Sequence, residues 1–364
     1  MIQETRSSAG FLFGLNTNMS LPVLMTDPLF PTNRSGIVWQ KIWNRIRLQI
    51  DEEFPYKKNY VYNLTFGQYH FAEEIINDID ANIFLMTDFD PPYVHNGIDD
   101  ALHQLSIRPN VYIIGNHATD KRNRYSFWAI NVEDNFIKPT EQEMFLNPDF
   151  KYDFISYNRK PTRHRVELVS QLYLLRLNQH GIITLGYEDT GYGNKAREKG
   201  WLFQLNENPP GVSLQESSGV NSIPNDIFSI GDGEIWRNHL INIVSETDQY
   251  YRKDYPFLSE KIFKPIIGLR PFIINGNPAI YEHLKEEGFE TFLDYWPIRL
   301  GINSIEDYNM IPINIARILD WVRQMTRKEK QDLYKKMYPA LLANREVFKR
   351  YVQKQWNIID NLTF

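Results

Sequence analysis

Short apolar runs alternate with segments of helical spacing along most of the chain. Asn59 to Leu64 predicts a strand, Phe71 to Ile79 a helix, and Asn82 to Met86 a buried strand that stops in Thr87-Asp88-Phe89-Asp90-Pro91-Pro92. Val111 to Ile114 predicts another strand, ending in Gly115-Asn116-His117. Lys138-Pro139-Thr140 and Asn147-Pro148-Asp149 bracket a short helical segment that reads as a linker, and the pattern then begins again. A strand at Phe154 to Tyr157 runs through the basic stretch Asn158 to Arg165 into a helix carrying Val166, Val169, Leu172 and Leu175. Ile182 to Leu185 is the next strand, and Tyr187 to Pro224, rich in Gly, Asn, Pro and Ser, reads as a long loop with one short element. Leu240 to Ser245 and Phe272 to Asn275 predict strands around a helix from Glu260 to Gly268, with a short helix at Ala279 to Glu287. The tail from Ile313 to Tyr351 reads as helical, anchored by Trp321, Met325, Leu333, Met337 and Leu341.

Strand, helix, strand order of this kind implies parallel sheets covered by helices, hence the α/β class. A chain of 364 residues exceeds one ordinary core, so two doubly wound, Rossmann-like halves joined near residue 150 are expected. The expected division is 1–150, 151–312 and a helical tail, 313–364, packing back on the domains. In sheets of this type ligands sit at the carboxyl ends of strands, where two domains can close on them.

Composition narrows the chemistry. The absence of cysteine excludes disulfides, thiolate catalysis and Cys-ligated zinc. A net charge of −5 argues against generic capture of nucleic acid, which needs many Lys and Arg facing phosphates. Met1 to Arg6 lacks the basic-then-apolar order of a secretory signal, and no run has the length of a membrane span, so a cytoplasmic protein is expected.

Three polar clusters fall at predicted strand ends or helix starts in the second half: Asn158 to Arg165, Ser245-Glu246-Thr247 and Ser259-Glu260-Lys261. Read locally, Ser259 is an N-cap, Glu260 favours the first-turn dipole and Lys261 is a solvated surface residue. Read together, they supply backbone N–H groups, a guanidinium and an ammonium for a diphosphate. No Walker-type loop or GxGxxG accompanies them, which disfavours an ATPase or a dehydrogenase.

From Asn242 to Trp296 the chain resembles the donor-binding region of the α1,3-fucosyltransferase family and its bacterial and viral relatives. The resemblance rests on Ser245-Glu246-Thr247, Asp254-Tyr255, Ser259-Glu260-Lys261-Ile262-Phe263 and Pro271-Phe272-Ile273-Ile274-Asn275-Gly276. Phe292-Leu293-Asp294 fits the acidic strand end that follows in that family, and Arg165 takes the place of its second-domain arginine. The loop between Glu246 and Glu260 is longer than usual for the family, and Lys264-Pro265 replaces its typical residues.

What the resemblance implies is a GT-B-type glycosyltransferase with two domains facing a cleft: 1–150 on the acceptor side and 151–312 holding the nucleotide sugar. Arg165 and Lys261 would hold the diphosphate, Glu260 would accept hydrogen bonds from sugar hydroxyls, and Glu246, Asn158 and Tyr255 would complete the donor site. The partners implied are a nucleotide-sugar donor, GDP-linked by preference, and a glycan or other hydroxyl acceptor. No cofactor or metal is expected, and transfer is expected to invert. Such transfer needs a general base and a cationic site for the leaving diphosphate. The family's carboxylate turn is replaced here by Gly115-Asn116-His117 with Asp120 behind it, so His117 is the substitute candidate, with Asp88 and Asp90 the others.

Two other readings stand beside this one. Asp88-Phe89-Asp90 after an apolar strand could hold Mn or Mg as in metal-dependent GT-A-like transferases, although Pro91-Pro92 already explains a turn. A non-catalytic protein binding a sugar nucleotide, or nucleic acid through Tyr157 to Arg165, is the second; nucleic acid is otherwise expected only as a modified acceptor.

Overall fold

The computed structural model of the chain describes residues 23–24, 34–63, 80–87, 108–115, 118, 121–136, 150–158, 162–185, 230, 233–246, 256–302 and 307–364. The helix expected at Phe71 to Ile79, the segment 138–149 and the loop Tyr187 to Pro224 lie outside them. By density of contacts the chain groups into two compact units, Met1–Phe127 with Lys354–Phe364, and Trp128–Gln353.

In the first unit, β1 (Val23–Leu24), β2 (Lys58–Asn63), β3 (Ala81–Thr87) and β4 (Val111–Gly115) form a parallel sheet in sequential order. A 20-residue helix, α1 (Arg34–Glu53), precedes β2. It buries Val38, Trp39, Ile42, Trp43, Ile46 and Ile50, a spacing that puts every one of them on one face. The rings of Trp39 and Trp43, one turn apart, stack with centroids 6.2 Å apart. Residues 354–364 belong to this unit because specific bonds hold them there. Arg45 Nη1 donates to both carboxylate oxygens of Asp360, and Gln49 bonds the Ile359 carbonyl and the Leu362 N–H. The amide of Asn123 pairs with the Thr363 backbone in both directions, and Phe364 joins Phe54, Phe84 and Tyr112 in an aromatic cluster.

The second unit opens with α2 (Phe127–Asn135), whose first residue belongs to the other unit, and holds a second parallel sheet. Its strands are β5 (Tyr152–Asn158), β6 (Gly181–Leu185), β7 (His239–Ser245) and β8 (Phe272–Asn275), ordered β6-β5-β7-β8. The helices α3 (Arg163–Leu174), α4 (Gly233–Asn238), α5 (Glu260–Ile267), α6 (Ala279–Glu286), α7 (Ile311–Arg323) and α8 (Arg327–Asp360) accompany it, the last running on into residues of the first unit. Chain order reverses between β5 and β7, as in a doubly wound sheet, and β7 is buried at every position, as a central strand covered on both faces must be. Among the described strands of the first sheet no such reversal occurs, so the expected doubly wound pattern is seen in the second unit.

The expected helical tail is built of two helices: Thr326 separates α7 from α8 through a capping box, its hydroxyl accepting from the Glu329 N–H while Glu329 Oε2 accepts from the Thr326 N–H and hydroxyl. One other expectation is corrected: Phe292-Leu293-Asp294 is not a strand end. Phe292 adopts φ 61° ahead of a 3-10 turn, an unfavourable conformation for an aromatic residue, and its buried ring packs edge-on against Phe272 at 5.3 Å.

Below the sheet, Arg270 fixes the helices. Fully buried, it donates to the carbonyls of Trp236, Arg237 and Leu269 and to the Tyr334 hydroxyl, with its guanidinium 5.0 Å from the Tyr334 ring centre. Replacing it with Ala strands those carbonyls and opens a cavity, so a loss of about 3–5 kcal/mol is expected in denaturant unfolding. Arg323→Ala, which breaks only an exposed pair with Asp320, is expected to cost less than about 1 kcal/mol in the same measurement.

His239, also fully buried, donates from Nδ1 to the Ile235 carbonyl at 2.9 Å. Burial holds its imidazole well below the ordinary value of 6.5, and the Arg270 charge adds to this against the opposing pull of the Ile235 bond. The unfolded chain takes up a proton below pH 6.5 and the folded one does not, so stability present above that pH falls as pH drops, by up to about 1.4 kcal/mol per unit. Urea unfolding between pH 6.5 and 5 is expected to show a shallower decline in His239→Phe than in wild type; parallel slopes would contradict this.

Candidate functional site

At the reversal point, the carboxyl ends of β5 and β7 lie side by side, and each strand leads on to a helix whose N-terminus returns to this edge. Glu246 follows directly on β7. The strand ahead of it is sealed, so the carboxylate that ends it is sealed too, at 0% exposure. Each of its oxygens accepts from Ser259: Oε2 from the hydroxyl at 2.6 Å and Oε1 from the N–H at 3.2 Å. Burial pushes the Glu246 carboxyl up, the Lys261 charge and the Ser259 bonds pull it back, and neighbouring Glu260 pushes it further up, leaving it above the usual carboxylate value.

Ser259 is the N-cap of α5, its oxygen accepting from the Lys261 N–H at 3.3 Å. The same oxygen accepts from Lys261 Nζ at 3.1 Å, and Nζ also meets Glu260 Oε1 at 3.0 Å. Lys261 therefore bends back over the helix start, retaining 24% side-chain exposure, while Glu260 beneath it keeps 3%. Burial raises the Glu260 carboxyl, but the Lys261 and Lys264 charges outweigh it and hold the group below its usual value.

The start of α3 completes the cluster. Arg165, 3% exposed, donates from Nη2 to the carbonyls of Ser245 at 3.0 Å and Glu246 at 3.2 Å. His164 meets the same Glu246 carbonyl through Nε2 at 2.9 Å and the Thr162 hydroxyl through Nδ1 at 3.2 Å. Asn275, ending β8, donates to the His164 carbonyl at 3.1 Å and towards Ser245 Oγ at 3.4 Å. Asn158, ending β5, is fully buried, and its amide nitrogen bonds Ser156 and the Thr184 carbonyl, clasping β5 to β6.

Arg165, Glu246, Glu260 and Lys261, which the sequence groups, are thus joined in one network, with Asn158 on the adjacent strand end. The sequence does not show the bonds of Ser259 to Glu246, and it gives no role of their own to His164 and Asn275, which fall within the stretches Asn158 to Arg165 and Pro271 to Gly276. Their signal was a polar residue closing an all-apolar strand, or sitting beside an arginine at a helix start. His117, Asp88, Asp90 and Tyr255, with Asn116 and Asp120, lie outside the described residues.

What fold and site define is an α/β protein with parallel sheets and a charged, largely buried network at a switch point. No protein-family model matches the sequence, and no curated protein matches it. Among solved structures, the chain is similar to an alpha1,3-fucosyltransferase determined with GDP, at 11% identity over 84% of this chain and 78% of that one, with a TM-score of 0.37. A likeness of that degree carries no argument about activity. Among the described residues, no helix is long and apolar enough to cross a membrane.

Proposed function

We propose that the chain is a glycosyltransferase, inverting and metal-independent, that moves a sugar from a nucleoside-diphosphate donor to a hydroxyl of an acceptor. The observation that carries this reading is the Lys261 ammonium at the capped start of α5, at the carboxyl end of a central parallel strand where strand order reverses. A helix start offers N–H groups to an anion, and parallel sheets take their ligands at this edge. Of the three ammonium N–H groups, two are directed at Ser259 and Glu260, which leaves the third for a phosphate oxygen.

In this reading Arg165 and Lys261 stabilise the leaving diphosphate, and Glu260, kept ionised by two lysines, accepts from sugar hydroxyls. Donor binding is assigned to residues 151–312, a GDP-sugar is the favoured donor, and fucose is the sugar the motif resemblance suggests. His117, Asp88 and Asp90 are the candidates for the base that deprotonates the acceptor hydroxyl.

Lys261→Ala is expected to weaken nucleotide binding by about 2–3 kcal/mol, roughly 30- to 150-fold in Kd, because it removes a charged partner from a desolvated site. Calorimetry with GDP, after a thermal-shift comparison of GDP, UDP, CMP and dTDP, makes the measurement. Unchanged affinity in the variant would overturn the assignment. Activity that survives a chelator is expected as well, and its complete loss would contradict metal independence.

A further inference from the structure

The hydroxyl of Ser259 has one proton and two lone pairs, and all three are assigned. Its proton goes to Glu246 Oε2, and its lone pairs accept from the Lys261 N–H and from Lys261 Nζ. The direction of this chain is set by Lys261, because its N–H and its ammonium can only donate to the Ser259 oxygen, which leaves the hydroxyl's own proton for Glu246 Oε2. With the hydroxyl proton drawn towards β7, both lone pairs face Lys261. A hydroxyl free to rotate would turn its proton towards one of the two Lys261 donors and lose that bond.

Nothing in this arrangement lets Glu246 meet a ligand. It has no exposure, and each of its oxygens already accepts from Ser259. We infer that Glu246 is a positioning residue, acting through Ser259 to fix the Lys261 ammonium over the start of α5, in place of the donor contact that the sequence suggests for it. The ligand that this ammonium receives rests on the donor-binding reading; the tether itself does not.

Glutamine at 246 cannot reproduce the relay. With its carbonyl oxygen towards the Ser259 hydroxyl, its amide opposes the Ser259 N–H. With the amide turned over, it competes with Lys261 for the Ser259 oxygen. Alanine at 259 removes the relay outright, whereas threonine keeps one proton and two lone pairs on the oxygen.

Reductive methylation of the intact chain, followed lysine by lysine by mass spectrometry, reads the tether directly. Glu246→Gln and Ser259→Ala are each expected to speed modification of Lys261 by about fivefold, a factor typical of one lost hydrogen bond. Ser259→Thr is expected to restore the wild-type rate, and Lys328, at 86% side-chain exposure, to be unchanged throughout. GDP affinity should fall in the two loosened variants and recover in Ser259→Thr. Wild-type modification of Lys261 in both loosened variants, with the circular dichroism spectrum unchanged, would overturn the inference. If Glu246→Gln does not fold, the Ser259 pair decides in the same way. A loosened Lys261 in a protein whose wild type binds neither GDP nor UDP would uphold the tether and overturn the donor reading instead.

Discussion

A carboxylate at the end of a strand buried on both faces has to be satisfied where it lies, and the second unit is organised around that requirement at Glu246. Water does not reach the group, so its oxygens must be met by donors from the protein. Among the described residues Ser259, which starts the helix following β7, supplies one to each oxygen. The bonds that satisfy the carboxylate therefore also set where α5 begins. From the other side, Arg165 and His164 meet the carbonyl of Glu246 and tie the start of α3 to the same strand end. One buried acidic residue thus links two helix N-termini across the reversal in strand order.

That arrangement separates support from contact. Asn158, Asn275, His164 and Glu246 bond backbone groups and the hydroxyls of Ser156, Ser245, Thr162 and Ser259, which gives the strand ends fixed positions. Lys261, by contrast, keeps partial exposure at the start of α5. Arg165 acts as a strut, donating from Nη2 to the carbonyls of Ser245 and Glu246. The electrostatics agree, since the lysines beside Glu260 keep it ionised while burial raises Glu246.

Much of this was legible in the chain because strong local signals coincide with tertiary need. The short, largely apolar and β-branched runs at Leu240 to Ser245 and Phe272 to Asn275 read as buried strands, and Ser259 reads as a cap. Helix α1 has its own signal in the sequence, since Val38, Trp39, Ile42, Trp43, Ile46 and Ile50 recur at helical spacing with mostly polar residues between them. The break between the two tail helices is marked by Thr326-x-x-Glu329, a capping box set within a run of charges. Beyond reach were the pairings of residues far apart in sequence. Nothing near Glu246 shows that His164, 82 residues earlier, will meet its carbonyl, or that Arg270 will find Tyr334 64 residues on.

The central claim is that the strand ends around Glu246 and the start of α5 form a nucleotide-binding site. Hydrogen exchange of the intact protein with and without saturating GDP tests it most directly, because it reports where a ligand acts without requiring an acceptor. The account predicts slowed exchange in residues 259–263 and 162–166, with the amino ends of β5 and β7 unchanged. Binding of GDP that protects other segments and leaves these two at their unliganded rates would contradict it.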